Sequence, residues 1–170
     1  CARLSPRKRN TNLLAAGVAV DVDVSAPAAF QSAMEENMER IKVILDTDIG
    51  TDIDDALALA YLLNQPRCEL VGITTLTGQA EIRAQMVSAM LHAAGRTDIP
   101  IHIGAKDCII IEQKERYAPQ AAMLSKWPHD TEFPTDAIAW MREMIRKYPG
   151  EIVLLGISPM SNIARLFLSD

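Results

Sequence analysis

Ile41-Lys42-Val43-Ile44-Leu45-Asp46-Thr47-Asp48-Ile49-Gly50-Thr51-Asp52-Ile53-Asp54-Asp55-Ala56-Leu57-Ala58-Leu59-Ala60-Tyr61-Leu62-Leu63-Asn64 is the stretch on which the fold turns. Ile41–Leu45 is a continuous β-branched and apolar run ending in Asp46, the pattern of a strand covered on both faces. From Asp54 to Asn64 there is no breaker, and Asn64 and Pro66 end the run, which predicts a helix. Its apolar residues wrap most of the circumference, so it is expected to be largely buried. Between the two lie five carboxylates, Asp46, Asp48, Asp52, Asp54 and Asp55, with no Lys, Arg or His among them.

Working outward, Glu69–Leu76 reads as a second strand with Gly78 at its exit. An amphipathic helix follows, with Ile82, Met86, Ala89, Met90 and Ala93 on one face and Gly95 closing it. Pro100 leads into the short strand Ile101–Ile103, and Lys106–Phe133 is irregular. Ala137–Tyr148 reads as a helix with Ile138, Met141 and Ile145 inward. Pro149-Gly150 turns it into the strand Ile152–Leu155, and Ser158-Pro159 opens a last helix bearing Ile163, Leu166 and Phe167. Strands alternating with helices predict an α/β fold: an open, mostly parallel, Rossmann-like sheet with flanking helices and right-handed crossovers. Ligands of such sheets gather beyond the carboxyl ends of the strands. Here those ends are Asp46–Asp48, Thr75–Gln79, Gly104–Lys106 and Gly156–Ser161.

The acidic loop is too dense for capping alone. One Asp at a helix N-terminus contributes about 0.5–2 kcal/mol. Two carboxylates about 4 Å apart repel by about 4 kcal/mol at an effective dielectric of about 20, so grouping several costs more than a cap returns. A cation among them, or protonation of some, relieves that cost. An all-oxygen set favours a hard ion, Ca²⁺ or Mg²⁺, over zinc.

Three kinds of acidic loop compete. An EF-hand starting at Asp46 needs Gly at position 51 and Glu at 57; Thr51 and Leu57 stand there, and the pattern fails. A magnesium-dependent phosphatase of the haloacid dehalogenase type would use Asp46-Thr47-Asp48, leaving Asp54-Asp55 unexplained. The third fits best. Val43-Ile44-Leu45-Asp46-Thr47-Asp48-Ile49-Gly50, followed by Asp54-Asp55-Ala56-Leu57-Ala58-Leu59, resembles the signature of the inosine–uridine-preferring nucleoside hydrolases. The resemblance continues at Gly72-Ile73-Thr74-Thr75-Leu76-Thr77-Gly78 and at Leu155-Gly156-Ile157-Ser158-Pro159-Met160-Ser161-Asn162-Ile163-Ala164.

The resemblance implies calcium-dependent hydrolysis of the N-glycosidic bond of a ribonucleoside, giving ribose and free base. It implies Asp48 as calcium ligand and general base, and Asp55 as a second calcium ligand. Ser161 would offer a backbone carbonyl to the metal, and Asp54 would hold the ribose hydroxyls. Gln79 stands where the family usually has an Asn that reaches the sugar. The loop carries two residues more than the commonest family form, so Asp52 competes with Asp54 for the ribose position. The family's remaining calcium-ligand Asp and leaving-group His lie beyond the stretch that Asp170 ends. The chain is therefore expected to be the N-terminal part of such a domain, residues 39–170. Its competitor is a non-catalytic metal- or sugar-binding remnant that needs a partner chain, and homo-oligomerisation is expected from an uncovered edge and apolar face.

Composition narrows the classes. The 170 residues suit one domain, with 49% hydrophobic and 23% charged residues. A net charge of −5 argues against nucleic acid as a partner. Cys1, Cys68 and Cys108 form no CxxC pair and suit a reducing, cytoplasmic setting. Residues 1–38 read as a disordered extension or non-native start, with Met34 or Met38 as a natural beginning. Arg7, Lys8 and Arg9 before Leu13–Val24 also resemble a signal segment, which would mean secretion, but Asp21 and Asp23 interrupt it. No later run is long enough to cross a bilayer. His102 near a strand exit is expected to be satisfied or exposed rather than catalytic. His92 and His129 carry no expected chemistry, Trp127 is a candidate for base stacking and Trp140 for the core. Cys68 and Cys108 are expected to pack, and Arg83 and Arg96 to be solvated helix charges.

Overall fold

The computed structural model describes residues 40–169; the expectations for residues 1–38 lie outside them. Strand β1 (Ile41–Thr47) leads to helix α1 (Asp54–Asn64), β2 (Cys68–Thr75), α2 (Ala80–Ala94) and β3 (Ile101–Ile103). A 3₁₀ segment, Pro119–Lys126, lies in the stretch read as irregular, and α3 (Ala137–Lys147), β4 (Ile152–Gly156) and α4 (Ser161–Leu168) complete the order. The four strands are parallel in the order β3-β2-β1-β4. The chain steps outward from β1 through β2 to β3 and then returns to the far side of β1. The strand order therefore reverses at β1, and an open parallel sheet forms its ligand crevice beyond such a strand.

Side chains alternate across β1, as a sheet covered on both faces requires. Val43 and Leu45 join Leu70, Ile73, Ile101 and Ile103 beneath α1 and α2, with Leu59, Ala84, Val87 and Leu91 above them. Ile44 points the other way, onto Met141 of α3 and Leu166 of α4. Each such buried aliphatic side chain contributes roughly 1.5–3 kcal/mol. A register shift opposite Val43 and Ile44 sets Gly72 against Ile44. A Cβ at Gly72 would lie 2.2 Å from Cη2 of Trp140, so the strand is glycine there because an indole fills the space.

Three expectations change. Helix α1 is covered along one stripe only: Asp55 and Leu59 are buried, whereas Leu57 and Tyr61 are exposed. Its apolar residues go all round, but among the described residues the sheet meets only one side of it. Helix α2 turns a different face inward from the one its large apolar residues suggest. Ala80, Arg83, Ala84, Val87, Ser88 and Leu91 are buried. Met86, Ala89, Met90 and Ala93 instead line a cavity of about 260 Å³ under the 3₁₀ segment, opposite Met123, Leu124 and Trp127. Met86 and Met90 are partly buried, packed at the margin of the core as well as against the loop. On α4, Ile163 and Leu166 are buried and Phe167 is exposed. No described helix is long and apolar enough to cross a membrane.

Candidate active site

The strand exits bring the acidic loop together with the loops after β2 and β4, but they separate its five carboxylates into three kinds. Asp46, still within β1, is completely buried. Its Oδ1 accepts hydrogen bonds from Thr74 Oγ1 and from Asn162 Nδ2 at 2.8 Å, and its Oδ2 accepts from Ser158 Oγ at 3.3 Å. Burial raises its pKa, and the three hydrogen bonds pull it back. Asp46 thus ties β1 to β2 and to the β4–α4 loop. Completely buried and engaged at both oxygens, Asp46 is not presented to a substrate, and the phosphatase alternative is not favoured.

Asp52 and Asp54 are exposed. The residue that caps α1 is Ile53, with no side-chain hydrogen bond, so none of these acids caps the helix through its side chain. Asp54 and Asp55 instead occupy the first turn, where the helix dipole favours negative charge.

Asp48 and Asp55 form the third kind. Asp55 is buried and its Oδ1 accepts from Thr47 Oγ1 at 2.6 Å, while Thr47 Oγ1 accepts from the Ile49 amide at 3.1 Å. Asp48 is half-buried. Its pKa is pushed up to about 6, first by burial and then by the charge of Asp55, against the lowering effect of Arg83. Burial also raises Asp55, and the Thr47 hydroxyl opposes this. The Thr47 hydroxyl supports the ionised form of Asp55, and the charge of Asp55 in turn raises Asp48.

Among the described residues no three Asp, Glu, His or Cys side chains converge as a metal site. The donors present are two carboxylates that repel each other, the chemistry that a hard divalent cation relieves. They fit such an ion as part of its coordination and leave the rest to water or other oxygen donors.

The other expected residues surround this pair unevenly. Ser161 is buried at the start of α4, next to the Asn162 that holds Asp46. Gln79 precedes α2, and its Oε1 accepts from the Ala118 amide at 3.0 Å, which binds the residue to the loop before the 3₁₀ segment. Thr77, at the same exit, has a left-handed backbone, φ +68°, and a buried hydroxyl with no hydrogen-bond partner. That conformation is costly for a β-branched residue, and such strain clusters at functional sites.

The largest departure concerns Arg83, expected in solvent and found completely buried. Its guanidinium donates to main-chain carbonyls of Asp48, Ile49, Thr77, Glu115 and Tyr117. A signal was present: Arg83 shares a helical face with Ala80, Ala84, Val87 and Leu91, all small or apolar. The tie that Asn162 makes had no comparable signal, since its partner lies 116 residues away.

The remaining histidines act away from this site. His102 is satisfied, with Nδ1 2.6 Å from Asp136 and its ring stacked on Trp140 at 4.4 Å. His92 Nε2 lies 3.2 Å from Asp130, which also accepts from Ser88. Arg96 is exposed as expected and pairs with Asp98. Cys68 and Cys108 are free and partly buried.

Comparison with known proteins agrees with this geometry. A probable uridine nucleosidase 2 of Arabidopsis thaliana is 31% identical over 135 residues, 74% of this chain and 41% of the relative. Uridine nucleosidase 1 of the same plant is 28% identical, covering 76% of this chain and 40% of the relative. A solved plant nucleoside hydrolase superposes with a TM-score of 0.66 at 29% identity, covering 76% of this chain and 43% of that one. The Bacillus anthracis inosine-uridine preferring nucleoside hydrolase, 18% identical over 76% of this chain and 45% of its own, shares the fold with a TM-score of 0.60. The chain thus spans less than half the length of these relatives. The model of the inosine-uridine preferring nucleoside hydrolases matches residues 43–170, from the acidic strand exit through the loop that braces it, and the chain belongs to that family.

Proposed function

We propose that the protein hydrolyses the N-glycosidic bond of ribonucleosides with the help of calcium, releasing ribose and free base. The observation that carries this is the Asp48–Asp55 pair at the point where the strand order reverses, with the pKa of Asp48 pushed up to about 6. A pair of carboxylates pushed towards protonation in this way is one that a cation would complete; with calcium beside it Asp48 would be ionised and able, as a general base, to take a proton from the attacking water. Asp48 is that base and a calcium ligand, and Asp55, fixed by Thr47, is the second ligand. The Ser161 carbonyl supplies a third oxygen. Calcium, when bound, would acidify the attacking water and hold it against the sugar. Asp54, exposed beside Asp55, is free to meet the ribose hydroxyls, and fixed carboxylates suit the positive charge that develops on the ring. Gln79 brings its amide to the same exit with its oxygen already engaged. The names of the plant relatives make uridine the first substrate to try.

Strand β4 is one of the two sheet edges among the described residues, and Val153 on it is exposed, as is Phe167 on α4. An edge strand with exposed apolar residues supports self-association as the oligomeric form. The decisive experiment is calcium titration by calorimetry on the full chain, with Asp48→Ala and Asp55→Ala as controls, followed by reducing-sugar release from uridine and inosine. Binding lost in both variants, together with sugar release, is expected. Binding retained in both variants, or its absence from the folded parent chain, overturns this assignment of the calcium site.

A further inference from the structure

Arg83 sits where three loops meet, and every hydrogen bond it makes joins one of them. Its Nη1 donates to the Asp48 carbonyl, to that of Ile49 at 3.0 Å and to Thr51 Oγ1 at 3.2 Å, all in the acidic loop. Its Nε donates to the Thr77 carbonyl at 2.9 Å, at the exit of β2. Its Nη2 donates to the carbonyls of Glu115 at 3.0 Å and Tyr117 at 3.5 Å, in the strap before the 3₁₀ segment. The strap is stitched to the same two neighbours by other bonds. Gln79 N donates to the Arg116 carbonyl at 3.1 Å, Thr51 Oγ1 to that of Tyr117 at 3.1 Å, and Gln120 N to that of Gly50 at 3.1 Å. At Gly78 an added Cβ would lie 2.0 Å from the Arg116 carbonyl, so the strap is seated tightly.

A buried arginine beside carboxylates is usually explained as a counter-ion. The geometry here differs, because none of these bonds reaches a carboxylate. All go to five carbonyls and one hydroxyl. Carbonyls offered to one planar fork become fixed in direction relative to each other. Fixing the carbonyl of Asp48 fixes the peptide from which its side chain leaves.

We propose that Arg83 is a positioning residue that aims Asp48 by gripping the acidic loop, the β2 exit and the 115–117 strap as one unit. In part this deepens the proposed function, since what Asp48 is aimed for is that reaction. The grip itself stands on the hydrogen bonds alone, and the two are tested separately.

Two substitutions in the full chain distinguish grip from charge. Arg83→Met removes both; Arg83→Lys keeps the charge and loses the fork. Without metal, amide hydrogen exchange of both variants is expected to rise at least tenfold together at Ile49, Gln79, Ala118 and Gln120, with β1 and β2 unchanged. Unchanged loops in Arg83→Lys overturn the proposal. So does a uniform rise that includes the sheet, or failure of Arg83→Lys to fold, either of which makes Arg83 a support of the whole fold. If only Arg83→Met fails to fold, Arg83→Lys decides alone.

Calcium titration then gives a second, signed result. A counter-ion repels calcium, so Arg83→Met would tighten binding and Arg83→Lys would leave it unchanged. A positioning residue predicts about tenfold weaker binding in both, and the counter-ion pattern overturns it. If the parent chain binds no calcium, the proposed function loses its metal while the exchange result still judges Arg83.

Discussion

Two groups of acids in this molecule face opposite electrostatic situations. At the switch point of the sheet, Asp48 and Asp55 are drawn out of water next to each other, and burial raises both pKa values. On the far flank, Asp130 reaches over α2 to Ser88 and His92, which hold it below the ordinary carboxylate range, and Asp136 pairs with His102. The flank pairs are latches: each charge finds a partner and stays near solvent. Asp48 and Asp55 have the charge of Arg83 nearby but no direct ion pair among the described residues, and a folded protein tolerates that arrangement where a ligand completes it. What separates the working acids from the fastening ones is the set of partners each acid has, not the number of acids.

Asp46 sharpens the contrast, since it is the most buried acid and yet belongs with the fasteners. Asp46→Ala leaves Thr74, Asn162 and Ser158 without their shared acceptor. Orphaned buried donors cost about 1–3 kcal/mol each, so a loss of about 4 kcal/mol is expected. Thermal or urea denaturation measures it. If Asp46→Ala unfolds like the parent, Asp46 is not the hub that its hydrogen bonds describe. The next effect concerns the flank. Gly72→Ala drives a methyl into Trp140 and displaces the ring on which His102 stacks. Overpacking of this kind costs about 1–3 kcal/mol. The same variant should alter near-ultraviolet circular dichroism from Trp140 while leaving calcium binding intact.

Much of this contrast was legible in advance and part was not. The continuous apolar run Ile41–Leu45, the breaker-free helix after it and the glycines at 78, 95 and 150 are local features, and they located the strands and helices closely. The acidic loop was also legible as a unit, because five carboxylates in ten residues need no third dimension to be noticed. Its division into a hub, an exposed pair and a facing pair was not. That division depends on Thr74, Ser158 and Asn162, which reach Asp46 from two other strand exits. Arg83 was misjudged for a related reason: a charged residue on a helix is usually solvated. What reverses the rule is six acceptors assembled from loops up to 35 residues away. The inward face of α2 was misplaced because Met86 and Met90 look more like core than Ala80 and Ala84 do. The sheet takes Val87 and Leu91 with the small residues between them, and the two methionines sit at the margin of the core, under the 3₁₀ segment.

The comparison makes its finest distinction in the sign of pH dependence. Asp48 has a folded pKa above its unfolded value, so between about pH 4 and about 6 the folded state holds more protons than the unfolded chain. The stability it contributes is complete below the unfolded pKa and is lost as pH rises through about 6. In metal-free buffer at pH 7.5, Asp48→Asn is therefore expected to stabilise the fold by about 1 kcal/mol after discount for partial exposure, with no gain at pH 4. Calcium should remove the advantage, because the parent then gains a ligand that the variant binds poorly. Asp130 runs the other way. Its folded pKa is lowered, so its stabilisation is present above the unfolded pKa and is lost as pH falls through the folded one. Exposure keeps it small, below about 1 kcal/mol, and salt should weaken it. Asp130→Asn should cost that amount at pH 7 in low salt and almost nothing at pH 3. Opposite pH slopes in the two variants, read from denaturation at four or five pH values, would establish that the working and fastening acids differ in kind. Slopes of the same sign would mean that the Asp48–Asp55 pair is already balanced within the chain, and that no ligand is needed to complete it.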